Sequence, residues 1–323
     1  MGSYAESWLK VEESLGGARP VLKGNAEEMR AQFGGLVSAL APQYPPHSGT
    51  TESNDGVIGD VKYRIYTSKA ADSDAPRPLG IYYHPGGFVI GVSEADDFLC
   101  RTIAERTGAI IVCSQYRLSP EHKAPAHLQD AVRAFEYFYQ NADKVGGDAN
   151  KMFTVGISAG AGLSLAVARQ VVLGKTSADK SAIKGVVSFC PYTLHPDNVS
   201  ESYKATYTSY TENKENVPII EAATMHRFLE YAALEPSDDD YFVALNQHDH
   251  KSFPPTYIAT CEKDPLRDDG RVMVESLKAS GVPVRTDHYA GLPHCFWVFP
   301  SLPESQVFLE NAIDAVKWVI SQV

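Results

Sequence analysis

Gly156-Ile157-Ser158-Ala159-Gly160 has the pattern G-x-S-x-G, preceded by the apolar run MFTV and followed by AGLSLAVARQVV, whose apolar positions recur at helical spacing. A serine on a sharp strand-to-helix turn can act as a nucleophile. The turn throws its hydroxyl clear of the backbone at a helix N-terminus, where developing negative charge is favoured. Small residues are needed on either side, because a Cβ at Gly156 or Gly160 would run into the neighbouring backbone. A serine hydroxyl attacks poorly until a base takes its proton, so the chain must also supply a histidine and an acid that orients it.

His294 lies in Ala290-Gly291-Leu292-Pro293-His294, a turn-rich stretch directly after the strand-like VPVRTDHY. His288 falls inside that strand pattern and reads as structural or exposed, while His248 and His250 belong to a polar segment best explained as a solvated loop. Asp264 follows the strand-like TYIATC in Glu262-Lys263-Asp264-Pro265. Asp268 and Asp269 come one turn later, where acidic residues favour a helix start. Ser158, Asp264 and His294 therefore stand in an order that a strand-borne triad can use. The tetrahedral intermediate also needs rigid N–H donors, and His84-Pro85-Gly86-Gly87-Phe88, after the strand-like PLGIYY, offers the Gly86 and Gly87 amides, with Ala159 as a third.

These residues must be positioned by a scaffold, and the sequence describes one. Apolar runs at 78–83, 109–115, 152–157, 183–190 and 256–261 have the length and β-branched content of buried strands. Between them, 95–107, 126–141, 159–173 and 267–280 carry one apolar face at helical spacing. That alternation predicts a mostly parallel central sheet wrapped by helices, with the candidate residues at the C-terminal ends of its strands. Two regions break the rhythm: residues 1–50, with helices expected over 4–15 and 25–40, and residues 196–250, too long for an ordinary connection. An insertion over the ligand-binding edge would act as a lid or pocket wall. Tyr192, Tyr203, Tyr207, Tyr210, Phe228, Tyr231 and Trp297 lie in or near it and suggest an aromatic-lined cavity.

Composition removes several function classes. Forty acidic against 29 basic residues give a net charge of −11, which repels nucleic acid. No apolar stretch approaches the roughly 18 residues of a membrane span, so a cytoplasmic protein is expected. The five cysteines include no C-x-x-C pair and read as buried free thiols, and no metal is called for.

His84-Pro85-Gly86-Gly87-Phe88, Tyr116-Arg117-Leu118-Ser119-Pro120-Glu121-His122, the Ser158 motif, Asp264-Pro265-Leu266-Arg267-Asp268 and His294-Cys295-Phe296 together resemble the hormone-sensitive-lipase-like branch of the α/β hydrolases over about residues 58–323. The resemblance implies an α/β-hydrolase fold with a helical cap built from residues 1–50 and 196–250, the core being 51–195 and 251–323. It also implies a cofactor-free serine carboxylester hydrolase with an acyl-enzyme intermediate, acting on a small or medium ester. Phe88, Tyr192 and Trp297 are its expected substrate contacts. The N-terminal region is similar to that of fungal secondary-metabolism esterases, for which an acetate ester of a natural product would be the substrate; a homodimer is compatible with the family. Pro85 stands where the family has the first glycine of HGGG, Ile157 where it has an acid, and Cys295 where a glycine is common. Proline there costs no needed N–H. A lyase or cyclase, or a ligand-binding receptor, on the same scaffold are the alternatives.

Overall fold

A computed structural model describes residues 3–70 and 75–322. Eight strands form one sheet: β1 (Thr51–Ile58), β2 (Val61–Ser68), β3 (Arg77–Tyr83), β4 (Ile110–Gln115), β5 (Gly147–Ile157), β6 (Ile183–Phe189), β7 (Thr256–Lys263) and β8 (Val284–Pro293). Their order across the sheet is β1-β2-β4-β3-β5-β6-β7-β8. β1 and β2 form an antiparallel hairpin and β2 runs antiparallel to β4, whereas every pairing from β4 through β8 is parallel.

The parallel strands β3 to β7 are buried over most of their length, as their apolar runs require, whereas the edge strand β8 is buried mainly toward its C-terminal end. Helices α3 (Asp97–Thr107), α4 (Ala126–Gln140), α5 (Ala159–Val172), α8 (Arg267–Ala279) and α9 (Pro303–Ser321) wrap the sheet. The β1–β2 hairpin is absent from the sequence reading because β1 is an edge strand whose burial is confined to its ends, Thr51 and Ile58. Only two inward positions leave no periodic signal to detect.

Two helices precede the sheet, α1 (Glu6–Ser14) and α2 (Ala26–Leu40). α2 begins where it does because the Asn25 side chain accepts from the Glu28 amide at 2.9 Å while the Glu28 carboxylate accepts from the Asn25 amide at 2.8 Å. Between β6 and β7 lie α6 (Ser209–Glu212) and α7 (Ala222–Ala232). The two regions meet: Leu22 N–H donates to the Ile219 carbonyl at 3.0 Å and Thr224 Oγ1 to the Leu22 carbonyl at 2.9 Å. No helix among the described residues is long and apolar enough to cross a membrane.

Candidate active site

β5 ends at Ile157, α5 starts at Ala159, and Ser158 between them is held at φ 56°, ψ −120°. Non-glycine residues avoid this region, so the turn is strained and is held by its surroundings. The two flanking glycines are what permit it. A Cβ on Gly156 would stand 2.2 Å from the Gly160 carbonyl oxygen, and one on Gly160 would stand 2.0 Å from the Tyr83 carbonyl oxygen.

Asp264 and His294 leave the ends of the adjacent parallel strands β7 and β8 and meet with Nδ1 of His294 2.7 Å from Oδ2 of Asp264. Both are buried. Oδ1 of Asp264 accepts from the Leu266 amide at 2.8 Å, which fixes the carboxylate in its turn. Burial alone would push the His294 imidazole down, but the Asp264 carboxylate, aided by the Cys295 and Cys190 thiols beside the ring, holds it well above the ordinary histidine value. The Cys190 and Cys261 thiols meet at 3.4 Å behind this pair. All five cysteines are buried and free.

The loop after β3 turns back on itself, with the Val89 and Ile90 amides both donating to the Gly86 carbonyl at 2.9 Å. Gly86 and Gly87 sit at φ 126° and 59°; a Cβ on Gly87 would enter the Phe228 ring at 2.0 Å. No described residue accepts from the Gly86 or Gly87 amide. The loop is braced from beneath, because the His84 ring stacks on Tyr116 at 4.2 Å and the Tyr116 hydroxyl donates to the His84 carbonyl at 2.8 Å.

Ser158, His294, Gly86, Gly87 and Trp297 line one cavity of ≈ 590 Å³. Asp264 stands behind His294, out of the cavity, and Ala159 follows Ser158 at the first position of α5. Of the three expected substrate contacts, Trp297 lines the cavity, whereas Phe88 and Tyr192 are not among its lining residues. Phe88 has φ 66°, which turns its ring into a buried cluster with His127 and Tyr241. The Tyr192 ring packs edge-on against Phe242 at 5.5 Å. Of the aromatic residues anticipated in the insertion, Phe228 lines the cavity and Tyr203, Tyr207, Tyr210 and Tyr231 do not.

Several roles were not visible in the sequence. Phe33, Leu36, Leu40 and Tyr44, in and after α2, supply much of the apolar wall. Asp269 accepts from the Thr193 and Leu194 amides at 3.0 and 2.9 Å and from the Tyr207 hydroxyl at 2.6 Å, and Asp268 accepts from the Thr208 and Ser209 amides at 2.7 and 2.8 Å. These acids tether the insertion to α8, beyond any part in starting that helix. His250 is buried, not solvated, between the Ser276 hydroxyl at 2.7 Å and the Val243 carbonyl at 2.9 Å. His288 meets Thr260 Oγ1 at 2.9 Å.

A strand-borne serine in a strained turn, an Asp–His pair on the next strand ends and free amides beside an apolar cavity define a hydrolase-type centre. The chain belongs to the hormone-sensitive-lipase-like family of α/β hydrolases: the family model described as alpha/beta hydrolase fold matches residues 80–298. It is similar to a versiconal hemiacetal acetate esterase of Dothistroma septosporum, 42% identical over 322 residues, covering 100% of this chain and 97% of that protein. Among solved structures it resembles an esterase of Pyrobaculum calidifontis, with TM-score 0.82, 27% identity and 98% of each chain covered. It also resembles vibralactone cyclase, with TM-score 0.88, 27% identity, and 99% and 96% covered. The chain is a carboxylesterase-type hydrolase.

Proposed function

We propose that the chain hydrolyses the acetate ester of a natural-product alcohol through an acyl-enzyme on Ser158. The observation that carries this reading is the 2.7 Å pairing of His294 Nδ1 with Asp264, in a cavity wall shared by His294, Ser158 and the two loop glycines. With Nδ1 committed to Asp264, Nε2 is the nitrogen left to take the Ser158 proton as Oγ attacks the ester carbonyl. The carbonyl oxygen becomes an oxyanion, received by the amides of Gly86, Gly87 and Ala159. Collapse of the intermediate expels the alcohol, to which His294 returns the proton. A water activated by the same imidazole then releases acetate and regenerates the serine.

The acetate assignment draws on the relative at 42% identity and full length. The large apolar cavity suits a bulky alcohol. Ser158→Ala should lower turnover of an aryl acetate by a factor on the order of 10⁴ or more, with the fold intact by circular dichroism. A serine-directed phosphonate should label the wild type at Ser158 only. Near-normal hydrolysis by the alanine variant would refute the assignment. The high structural similarity to vibralactone cyclase keeps a cyclase reading in view, and it is tested by products: acetate and free alcohol support hydrolysis, an intramolecular lactone supports cyclisation.

A further inference from the structure

Apart from the residues already given roles, the cavity wall carries one buried carboxyl that nothing in the mechanism uses. Asp96 lies immediately before α3 and lines the cavity that holds Ser158 and His294. Its residue exposure is 9%, and its Oδ2 atom closes no hydrogen bond. It occupies the N-cap position of α3 yet its side chain caps no amide of that helix. The Tyr82 hydroxyl, fully buried on β3, faces the carboxyl and favours its charged form.

Neighbouring charges are accounted for. Asp97 is paired with Arg101 at 3.2 Å and Glu94 with Arg64 at 3.5 Å, so Asp96 is not one corner of an acidic trap for a cation. Burial pushes its carboxyl up to about 7, with the Tyr82 hydroxyl offsetting part of that rise. Near neutrality the group therefore exists both as carboxylate and as acid. A hydroxyl can donate to the first and accept from the second, whereas an ammonium suits only the first.

The surroundings narrow the ligand further. Phe33, Tyr44, Phe98 and Trp297 give the cavity flat aromatic surfaces, and in an apolar pocket a few placed polar groups fix orientation. We propose that Asp96 is a specificity-determining residue that binds a hydroxyl on the aromatic alcohol portion of the ester, so that hydroxyl-bearing aryl acetates are selected over their hydroxyl-free analogues. The proposal rests on the acetate-esterase reading above. A site built to bond a hydroxyl discriminates strongly, because the analogue without it leaves the protein's polar group buried and unpaired.

The test uses the full chain and the monoacetates of isomeric dihydroxynaphthalenes, whose free hydroxyl stands at different distances from the ester, beside the naphthyl acetates that lack it. Each kcat/KM is divided by the rate constant for hydroxide-catalysed hydrolysis of the same ester, to remove intrinsic reactivity. In the wild type at least one isomer should exceed its hydroxyl-free analogue by about tenfold or more. Asp96→Leu should bring that ratio to about one, and Asp96→Asn, which keeps a carbonyl acceptor but has no titrating proton, should retain part of it while removing its pH dependence around 7. A wild-type ratio near one for every isomer, or a ratio unchanged in Asp96→Leu, overturns the proposal. Should Asp96→Leu fail to fold, the wild-type ratio and Asp96→Asn decide. Failure of the esterase reading is distinct: the wild type would then turn over none of the naphthyl acetates.

Discussion

The pairing of His294 with Asp264 carries a pH consequence with a definite sign. Under the mechanism proposed, the imidazole must be neutral to take the serine proton, and its affinity for a proton lies well above the ordinary 6.5. The acid limb of kcat/KM should therefore fall above that value, with activity lost as pH drops through it. The pair's contribution to folding has the opposite sense, being fully present below about 6.5 and lost as pH rises through the folded value. Asp264→Asn removes the charge and leaves burial to dominate, so the limb should move to lower pH while kcat falls by about 10³ to 10⁴. Asp268→Asn and Asp269→Asn should leave the limb where it is. A limb that stays fixed in Asp264→Asn, read from stopped-flow or steady-state profiles, would show that another group sets it. The motif residues were legible in the sequence because each needs a particular type at a particular strand end. The direction of the Phe88 ring was not, since a motif records that an aromatic ring is present but not the positive φ that turns it toward His127 and Tyr241. Asp96 gave no signal because one acid among Glu94, Asp96 and Asp97 is indistinguishable until burial singles it out.

At the scale of elements, the parallel strands and the helices between them were legible to within a few residues, because continuous apolar runs and 3.6-residue spacing are what buried strands and covering helices require. The insertion was legible only as an interruption. Its short helices are held by contacts distant in sequence: α6 by the Asp268 carboxylate on α8, which accepts from the Ser209 amide, and α7 by the bonds of the Thr224 hydroxyl to the Leu22 carbonyl and of the Ala124 amide to the Ala232 carbonyl. Asp269 supplies a stability prediction of its own. Asp269→Ala strands the Thr193 and Leu194 amides and the Tyr207 hydroxyl, and should cost about 2–4 kcal/mol in a urea melt. Asp269→Asn keeps a carbonyl for the two amides and an amide group for the tyrosine oxygen, so the loss should stay near about 1 kcal/mol. Equal losses for the two variants would mean that charge, not hydrogen bonding, holds the insertion.

For the molecule as a whole, residues 3–45 act as a roof. Arg30 on α2 reaches down to the Val89 carbonyl at 2.9 Å, the Ser119 carbonyl at 2.7 Å and Glu121 at 2.7 Å, joining the roof to the loop that carries Gly86 and Gly87. Arg30→Ala should loosen that connection and raise KM for a bulky aryl acetate by roughly tenfold, equivalent to about 1.4 kcal/mol, with a smaller change in kcat. A fall in kcat with unchanged KM would place the effect in the chemical step instead.

The far side of the roof rests on the other end of the chain. The Ala5 amide donates to the Gly291 carbonyl at 3.0 Å, Ser7 Oγ to Glu304 at 2.7 Å and the Tyr44 hydroxyl to the Val298 carbonyl at 2.9 Å, while Trp8 meets Phe299 edge-on at 5.2 Å. Residues 5–44 are thus seated on residues 291–304, each translated at least 254 residues after its partner. At about 5–20 residues per second, the intervening stretch of roughly 250 residues keeps the roof waiting on the order of ten to fifty seconds on the ribosome. Throughout that interval Phe33, Leu36 and Leu40 have no cavity to line and are open to chaperones or to aggregation. Expression at low growth temperature should raise the yield of active enzyme more than it raises total yield, because the cavity cannot close until His294, Trp297 and Val298 have been made.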